Sequence, residues 1–180
     1  VSDAGTPLVS DPGFKLVREA HSAGHPILAV PGASAVLAAL AVSGLPTDRF
    51  VFEGFLPSKH TARLKRLEEL TTEERTLIFY EAPHRILQTL DDMQTVLGDR
   101  KTVLTRELTK VHEQVIRGPL SVVKKQLEAG SMKGEFTIIL QTSSAESANE
   151  SISPEEYLRN LMIHRGLSKK EAIAITAHDL

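Results

Sequence analysis

An α/β fold is predicted: two αβα layered domains, the first lacking its amino-terminal part, plus a short helical extension at the carboxyl end. Three observations predict it. Short apolar runs alternate with helical patterns, as in "PILAV" (26–30) followed by "ASAVLAALAVSG" (33–44), which is the βαβ rhythm of a parallel sheet. Gly and Pro stand at the corners between these runs, where they fix or free the backbone. The composition then shifts at "TSSAESANESIS" (142–153), which has no aromatic residue and reads as a flexible linker.

Each element follows from the local pattern. "VSDAGTPLVSDPG" opens the chain, and Val1 reads as the last residue of a buried strand. Gly5 permits positive φ, while Pro7 and Pro12 stiffen the loop and keep the residues before them out of the α region. Such a loop either binds a ligand closely through its backbone, as loops at strand carboxyl ends do, or simply makes two tight turns. "FKLVREAHSAGH" places Leu16, Val17 and Ala20 at helical spacing, and Gly24 stops the helix. "PILAV" reads as a buried parallel strand and "ASAVLAALAVSG" as a small-residue helix. These two strands are too few for a stable domain, so residues 1–46 are read as the carboxyl-terminal part of the first one.

"LPTDRF" marks a junction, and residues 47–141 are read as the second α/β domain. "FVFEGFLP" reads as a strand, and "SKHTARLKRLEEL" as a helix with Ser58 as N-cap and Leu64, Leu67 and Leu70 on one face. "TLIFYEA" reads as a strongly apolar strand. "PHRILQTLDDMQTVLG" reads as a helix with Pro83 near its start and Gly98 past its end. "KTVLTREL", "EQVIRG" and "GEFTIILQ" read as strands, with "PLSVVKKQLEAG" a helix between the last two. Residues 154–180 suggest a helix-turn-helix outline, incomplete at its end, with Ser168 and Glu171 spaced as a capping box.

Composition narrows the function. With no Cys among 180 residues, a disulfide scaffold, a thiolate metal site and a Cys nucleophile are excluded, and the lack fits a cytoplasmic protein. No apolar run is long enough to span a bilayer, so no membrane partner is expected. The formal net charge of −2 excludes a uniformly basic nucleic-acid binder and leaves any such contact to local patches. Those patches are Arg63–Lys65–Arg66, Lys124–Lys125 and Arg165–Lys169–Lys170, each of which also reads as an ordinary solvated helix face. No HExxH, Walker loop or GxSxG is present, so metalloprotease, NTPase and α/β-hydrolase readings have no support.

Five corners combine Gly or Pro with polar residues just after an apolar run: residues 3–13, 30–35, 80–85, 105–113 and 133–136. Together they suggest a cleft. Ser34 either starts the next helix as its N-cap or, with the N–H groups behind it, receives an anionic group. Arg85 and His84 form either a solvated first turn or a phosphate contact. Glu107, Lys110, His112 and Glu113 mix signs as solvated ion-pair faces do.

The segments "SDAGTPLVSDPG", "VPGASA", "FEGFLP", "IFYEAPHR", "RELTKVHE" and "GEFTIIL", in this order, resemble the branch of the tetrapyrrole methylase superfamily that modifies small-subunit ribosomal RNA. "YLRNLMIHRGLSKKEAIAITA" is similar to that branch's helical extension. The resemblance implies two αβα domains in a homodimer, with S-adenosyl-L-methionine held between them. It implies methyl transfer to the ribose 2′-hydroxyl of a cytidine in the decoding centre of 16S rRNA. Carried onto matching positions, it implies that Ala4, Thr6 and Val9 hold the methionine end of the cofactor. Ser34 and Ala35 line it after the next strand, Tyr80 and Glu81 at a strand end, and Leu108, Gly134 and Glu135 on the adenosine side. The family's Gly-rich amino-terminal loop has no counterpart here.

A sulfonium-bound methyl group is already activated, so no metal is expected and positioning carries much of the reaction. A sugar hydroxyl is a weak acid, so a proton acceptor is expected. Glu81, Glu107 and Glu113 are candidate bases that the sequence does not separate, with Arg85 and Lys110 the candidate substrate contacts. A tetrapyrrole-type small-molecule methylase and a nucleic-acid-binding module built on the carboxyl-terminal helices are the alternatives.

Overall fold

The computed structural model describes residues 5–142, 158, 162 and 168–179. The chain falls into two compact units, Val1–Ser143 and Ser144–Leu180. The first holds α1 (Phe14–Ser22), α2 (Ala35–Ser43), β1 (Phe50–Phe55), α3 (His60–Glu69), β2 (Thr76–Glu81), α4 (Ile86–Leu97), β3 (Lys101–Arg106), β4 (Gln114–Pro119), α5 (Leu120–Glu128) and β5 (Phe136–Leu140).

The five strands form one mixed sheet in the order β1-β2-β5-β3-β4. β1 and β2 run parallel, joined by the α3 crossover, whereas β5 pairs antiparallel with both β2 and β3, and β4 antiparallel with β3. Alternation sorts the side chains onto two faces. Leu77, Phe79, Leu104, Ile116, Ile138 and Leu140 point to one face, where α3, α4 and α5 bury Leu67, Leu90, Met93, Val123 and Leu127 against them. Ile78, Val103 and Ile139 point to the other, where Val36, Ala39 and Leu40 of α2 pack on them, with Phe52, Tyr80, Leu108 and Val115 around. Both faces are covered, which is why residues 77–80 of β2 and 138–140 of β5 read as apolar runs.

Several elements differ from the sequence reading. "PILAV" is no strand: residues 26–30 make no ladder, and Leu28 and Val30 are each 87% exposed. Among the described residues no strand lies beside this segment, and an extended chain without a partner satisfies no ladder hydrogen bonds. α1 forms as expected but buries nothing; Leu16 is exposed and Val17 and Ala20 only half-buried. The N-cap of α3 is Lys59, not Ser58. The reason lies in Arg63, whose Nη1 reaches toward the carbonyl oxygens of Pro57 and Ser58 at 3.5 and 3.4 Å, so the helical ladder starts at the Lys59 carbonyl. α4 begins at Ile86, three residues after Pro83. Residues 83–85 form a turn because the Glu81 carboxylate takes the Ala82 N–H at 2.7 Å and the Arg85 guanidinium at 2.6 Å. Gly98 ends α4 with φ of 85°, as expected of a C-terminal glycine.

The basic patch expected at Arg63–Lys65–Arg66 is not one. Arg63 is fully buried, its Nε donating to Asp92 Oδ2 at 2.6 Å. Arg66 grips both oxygens of Glu53 at 2.8 Å and also pairs with Glu69. Lys124 is engaged by Asp91 and Glu128, leaving Lys125 exposed.

In the second unit, α6 (Lys169–Asp179) starts with the expected capping box. Ser168 Oγ and the Ser168 N–H both donate to Glu171 Oε2, at 2.6 and 2.9 Å, and the Glu171 N–H lies 3.5 Å from Ser168 Oγ. That grip lowers the Glu171 carboxyl's pKa. Of the helix expected before it only Leu158 and Met162 are described, both helical. Of the linker expected at 142–153 only Thr142 is described; it is buried, donates its hydroxyl to the Glu74 carbonyl at 2.6 Å and so belongs to the first unit. Arg165 and the Val1 strand end lie outside the described residues.

Candidate functional site

One end of the sheet gathers the polar corners. The carboxyl ends of β1, β2 and β3 and the amino ends of β4 and β5 meet there, since Phe55 is level with Tyr80, Glu81 with Phe136, and Arg106 with both Phe136 and Gln114. Loops at this end leave the strands from unpaired positions, which frees their side chains for function.

On the α2 face, Tyr80 sits at the centre. Its ring meets Phe52 edge-on, with centroids 4.9 Å apart, and lies 5.6 Å from Phe55. Its hydroxyl is raised in pKa, mainly by burial; the Val36 N–H opposes the shift and the Glu135 charge adds to it. That Val36 contact brings the start of α2 to the strand end. Ser34 is the α2 N-cap, yet its side chain makes no capping hydrogen bond; of the first N–H groups of the helix, that of Val36 meets the Tyr80 hydroxyl. Ser34 is half-buried and Ala35 exposed.

The opening loop joins the same place. Thr6 Oγ1 donates to the Ala33 carbonyl at 3.0 Å, linking residues 5–13 to the "VPGASA" corner. Leu8 and Ser10 hold positive φ of 75° and 55°, a strain seldom kept without a use. Val9 between them is exposed. On its other side the loop meets β1, where Glu53 bulges out of register so that Phe52 pairs with Ile78 and Gly54 with Phe79. Gly54 has φ of 67°, and a Cβ there would stand 2.9 Å from Ser10 Oγ. Ala4 lies outside the described residues.

Glu81 is buried and fully engaged. Beside Ala82 N–H and Arg85, it accepts the Thr89 hydroxyl at 2.6 Å. Arg85 in turn reaches the Leu56 carbonyl at 3.4 Å, so this expected phosphate contact faces inward.

The β3–β4 loop forms a second cluster. Glu107 holds φ of 51° and Thr109 φ of 64°. Glu107 Oε1 accepts both the Glu135 N–H and Lys110 Nζ at 3.0 Å, and Lys110 also reaches Glu135 Oε2 at 3.0 Å. Glu107's pKa is lowered, first by the Glu135 N–H and then by Lys110. Gly134 has φ of 106° and leaves the space that Glu107 Cγ fills, 2.5 Å from where a Cβ would be. Glu113 Oε2 accepts the Thr109 N–H at 2.7 Å, and its other oxygen makes no hydrogen bond among the described residues. Leu108 packs on the α2-side core.

The structure thus brings Thr6, Ser34 and Tyr80 together, and sets Glu107, Leu108, Lys110, Gly134 and Glu135 in a neighbouring cluster at the same sheet end. Sequence reasoning missed Phe52, Phe55 and Gly54; a glycine inside an aromatic strand pattern was the available signal. Among the described residues, no group of three or more His, Asp or Glu side chains is placed to hold a metal, and no helix is long and apolar enough to cross a membrane.

The fold is shared with solved methyltransferases. The methyltransferase CobJ superposes with a TM-score of 0.55 at 19% identity, covering 77% of this chain and 62% of that one. The cobalt precorrin-4 methyltransferase CbiF gives 0.57 at 15%, covering 76% and 61%. The family model for tetrapyrrole (corrin/porphyrin) methylases matches residues 1–124, and the chain belongs to that family. Among curated relatives, "Ribosomal RNA small subunit methyltransferase I" of Haemophilus influenzae is 46% identical over 180 residues, covering 98% of this chain and 64% of the relative. Its namesake in Xylella fastidiosa (strain Temecula1) is 55% identical over 151 residues, covering 82% and 55%. The chain therefore spans 55% to 64% of the length of these relatives.

Proposed function

We propose that this chain belongs to an S-adenosyl-L-methionine-dependent enzyme that methylates the ribose 2′-hydroxyl of a cytidine in 16S rRNA of the small ribosomal subunit, acting as a cytoplasmic homodimer. One observation carries the reading: 46% identity runs over 180 residues with a ribosomal RNA methyltransferase, through both compact units. The likeness to corrin and porphyrin enzymes stands at 15 to 19% and is one of fold.

The residues fit the cofactor. The start of α2, which the Ser34 side chain does not cap, suits its carboxylate, and the Thr6 hydroxyl and the Tyr80 hydroxyl, the latter on the Val36 N–H, stand beside it. Ala4, Val9, Ala35, Leu108, Gly134 and Glu135 complete the proposed lining. When bound, the cofactor supplies a sulfonium-activated methyl group. The chain's task is to hold the ribose oxygen in line and accept its proton.

Of the three candidate acceptors, Glu81 is consumed by Thr89, Ala82 and Arg85, and Glu107 by Lys110 and the Glu135 N–H. Glu113 keeps one carboxylate oxygen open, and we assign the proton to it. Lys110, tied to Glu107 and Glu135, orients that loop.

The test supplies the full-length protein with labelled S-adenosyl-L-methionine and 30S subunits, then maps ribose methylation. Label at a single cytidine 2′-oxygen is expected. Label entering a porphyrinoid but no RNA, in any assembly state, overturns the reading.

A further inference from the structure

The "FEGFLP" segment lends Phe52, Gly54 and Phe55 to the site above, and two arginines hold the loop that its last residues begin. Residues 56–60 leave the carboxyl end of β1, next to Phe55 and Tyr80. The carbonyl of Leu56 faces Arg85 Nη1 at 3.4 Å, and those of Pro57 and Ser58 face Arg63 Nη1 at 3.5 and 3.4 Å. Three successive carbonyls are thus turned inward onto guanidinium groups. Below them, Asp92 accepts Arg63 Nε at 2.6 Å and contacts His60 Nε2 at 3.1 Å, fixing the start of α3.

A fully buried arginine is a poor stabiliser. Arg63 Nη2 has no hydrogen-bond partner and no contact with solvent, and an apolar side chain of similar size is often as good or better in such a place. The arrangement is better explained by what it holds. With carbonyls drawn inward, the loop turns its other side out, and there Pro57, Ser58, Lys59 and His60 are exposed. Lys59 makes no ion pair among the described residues. His84 is exposed on the adjoining β2–α4 corner, while Arg85 and Arg63 are spent within.

We propose that the β1–α3 loop is a contact for the RNA backbone, with Lys59 meeting a phosphate and Arg63 as the positioning residue that fixes the loop. It rests on the proposed RNA methyl transfer. Phosphate contacts set register and affinity without reading sequence, and each one lost lowers the salt dependence of binding by about one unit of slope.

The test uses the full-length protein and 30S subunits, comparing parent, Lys59→Ala, Lys59→Glu and Arg63→Met. KM for 30S and its salt dependence are measured beside calorimetric affinity for S-adenosyl-L-methionine. Lys59→Ala is expected to raise KM for 30S by about tenfold and to flatten the salt slope by about one, with cofactor affinity unchanged; Lys59→Glu should exceed it. Arg63→Met should raise KM for 30S without flattening the slope per phosphate; should it fail to fold, the Lys59 pair decides. Lys59→Glu with parental KM and slope overturns the proposal. A parent protein that labels no RNA defeats the functional reading instead. Filter binding of the same variants to 16S rRNA then decides the loop, a parental salt slope in Lys59→Glu again overturning it.

Discussion

At the residue scale, Gly54 and Glu81 show how little freedom the site's neighbours have. Gly54 carries positive φ inside the β1 bulge and leaves only the space that Ser10 Oγ occupies. An alanine there pays about 1–2 kcal/mol for the left-handed backbone and must also push the opening loop aside. We expect Gly54→Ala to lower stability in urea denaturation by about that amount and to weaken cofactor binding in calorimetry, because Ser10 and Thr6 share one loop. Unchanged cofactor affinity would separate that loop from the ligand. Glu81 is different. Removing it strands the half-buried Arg85 and the Thr89 hydroxyl, and losing one partner of a buried pair costs about 3–5 kcal/mol. Glu81→Ala is therefore expected to fail mainly by unfolding at lower temperature. Glu113→Gln, exposed and lightly held, should leave the melting temperature alone and cut kcat at constant cofactor affinity. Parental kcat in that variant removes Glu113 as the proton acceptor.

At the scale of elements, the β3–β4 loop depends on a charged latch with a definite pH sign. Glu107's folded pKa is lowered by the Glu135 N–H and Lys110, so its contribution is complete above the ordinary glutamate value of about 4.3 and is lost as pH falls through the lower folded value. The loop is expected to keep its amide-exchange protection at the Glu135 N–H from neutral pH down to about 5, losing it well below 4.3. Lys110→Met should move that loss to higher pH. An exchange profile indifferent to both would mean that the latch holds nothing. The elements themselves were unequally legible. β2 and β5 announced themselves because burial on both faces leaves the apolar runs 77–80 and 138–140, and the Ser168–Glu171 capping box could be read from spacing alone. "PILAV" misled because an apolar run signals a wish for burial, and a ladder also needs a neighbouring strand. Arg63 misled in the opposite sense: an arginine between lysines on a helix reads as a solvated face, and only the distant Asp92, 29 positions along the chain, makes its burial tolerable. The site was half legible for the same reason. The order of its corners is written in the chain, but Thr6 meeting the Ala33 carbonyl, or Gly134 making room for Glu107, is a fact of tertiary approach.

At the scale of the whole molecule, the proposed RNA substrate has to be reconciled with a formal net charge of −2. Total charge repels RNA weakly at physiological salt, where the screening length is about 8 Å, so a few well-placed cations decide the encounter. The second compact unit carries two exposed lysines that bear on this. Lys169 and Lys170 are exposed in the first turn of α6, the end at which the helix dipole disfavours positive charge by about 0.3–1 kcal/mol per residue. Helix stability alone would place acidic residues there, as Glu171 already shows; contact with the proposed RNA would offset that cost. Replacing both with glutamate in the full-length protein should raise the protection of α6 in hydrogen exchange while weakening 30S binding and flattening its salt dependence. Because the change opposes helix stability and RNA affinity to one another, a loss of both would point to misfolding. A gain in protection with parental 30S affinity would leave α6 without a role in holding RNA.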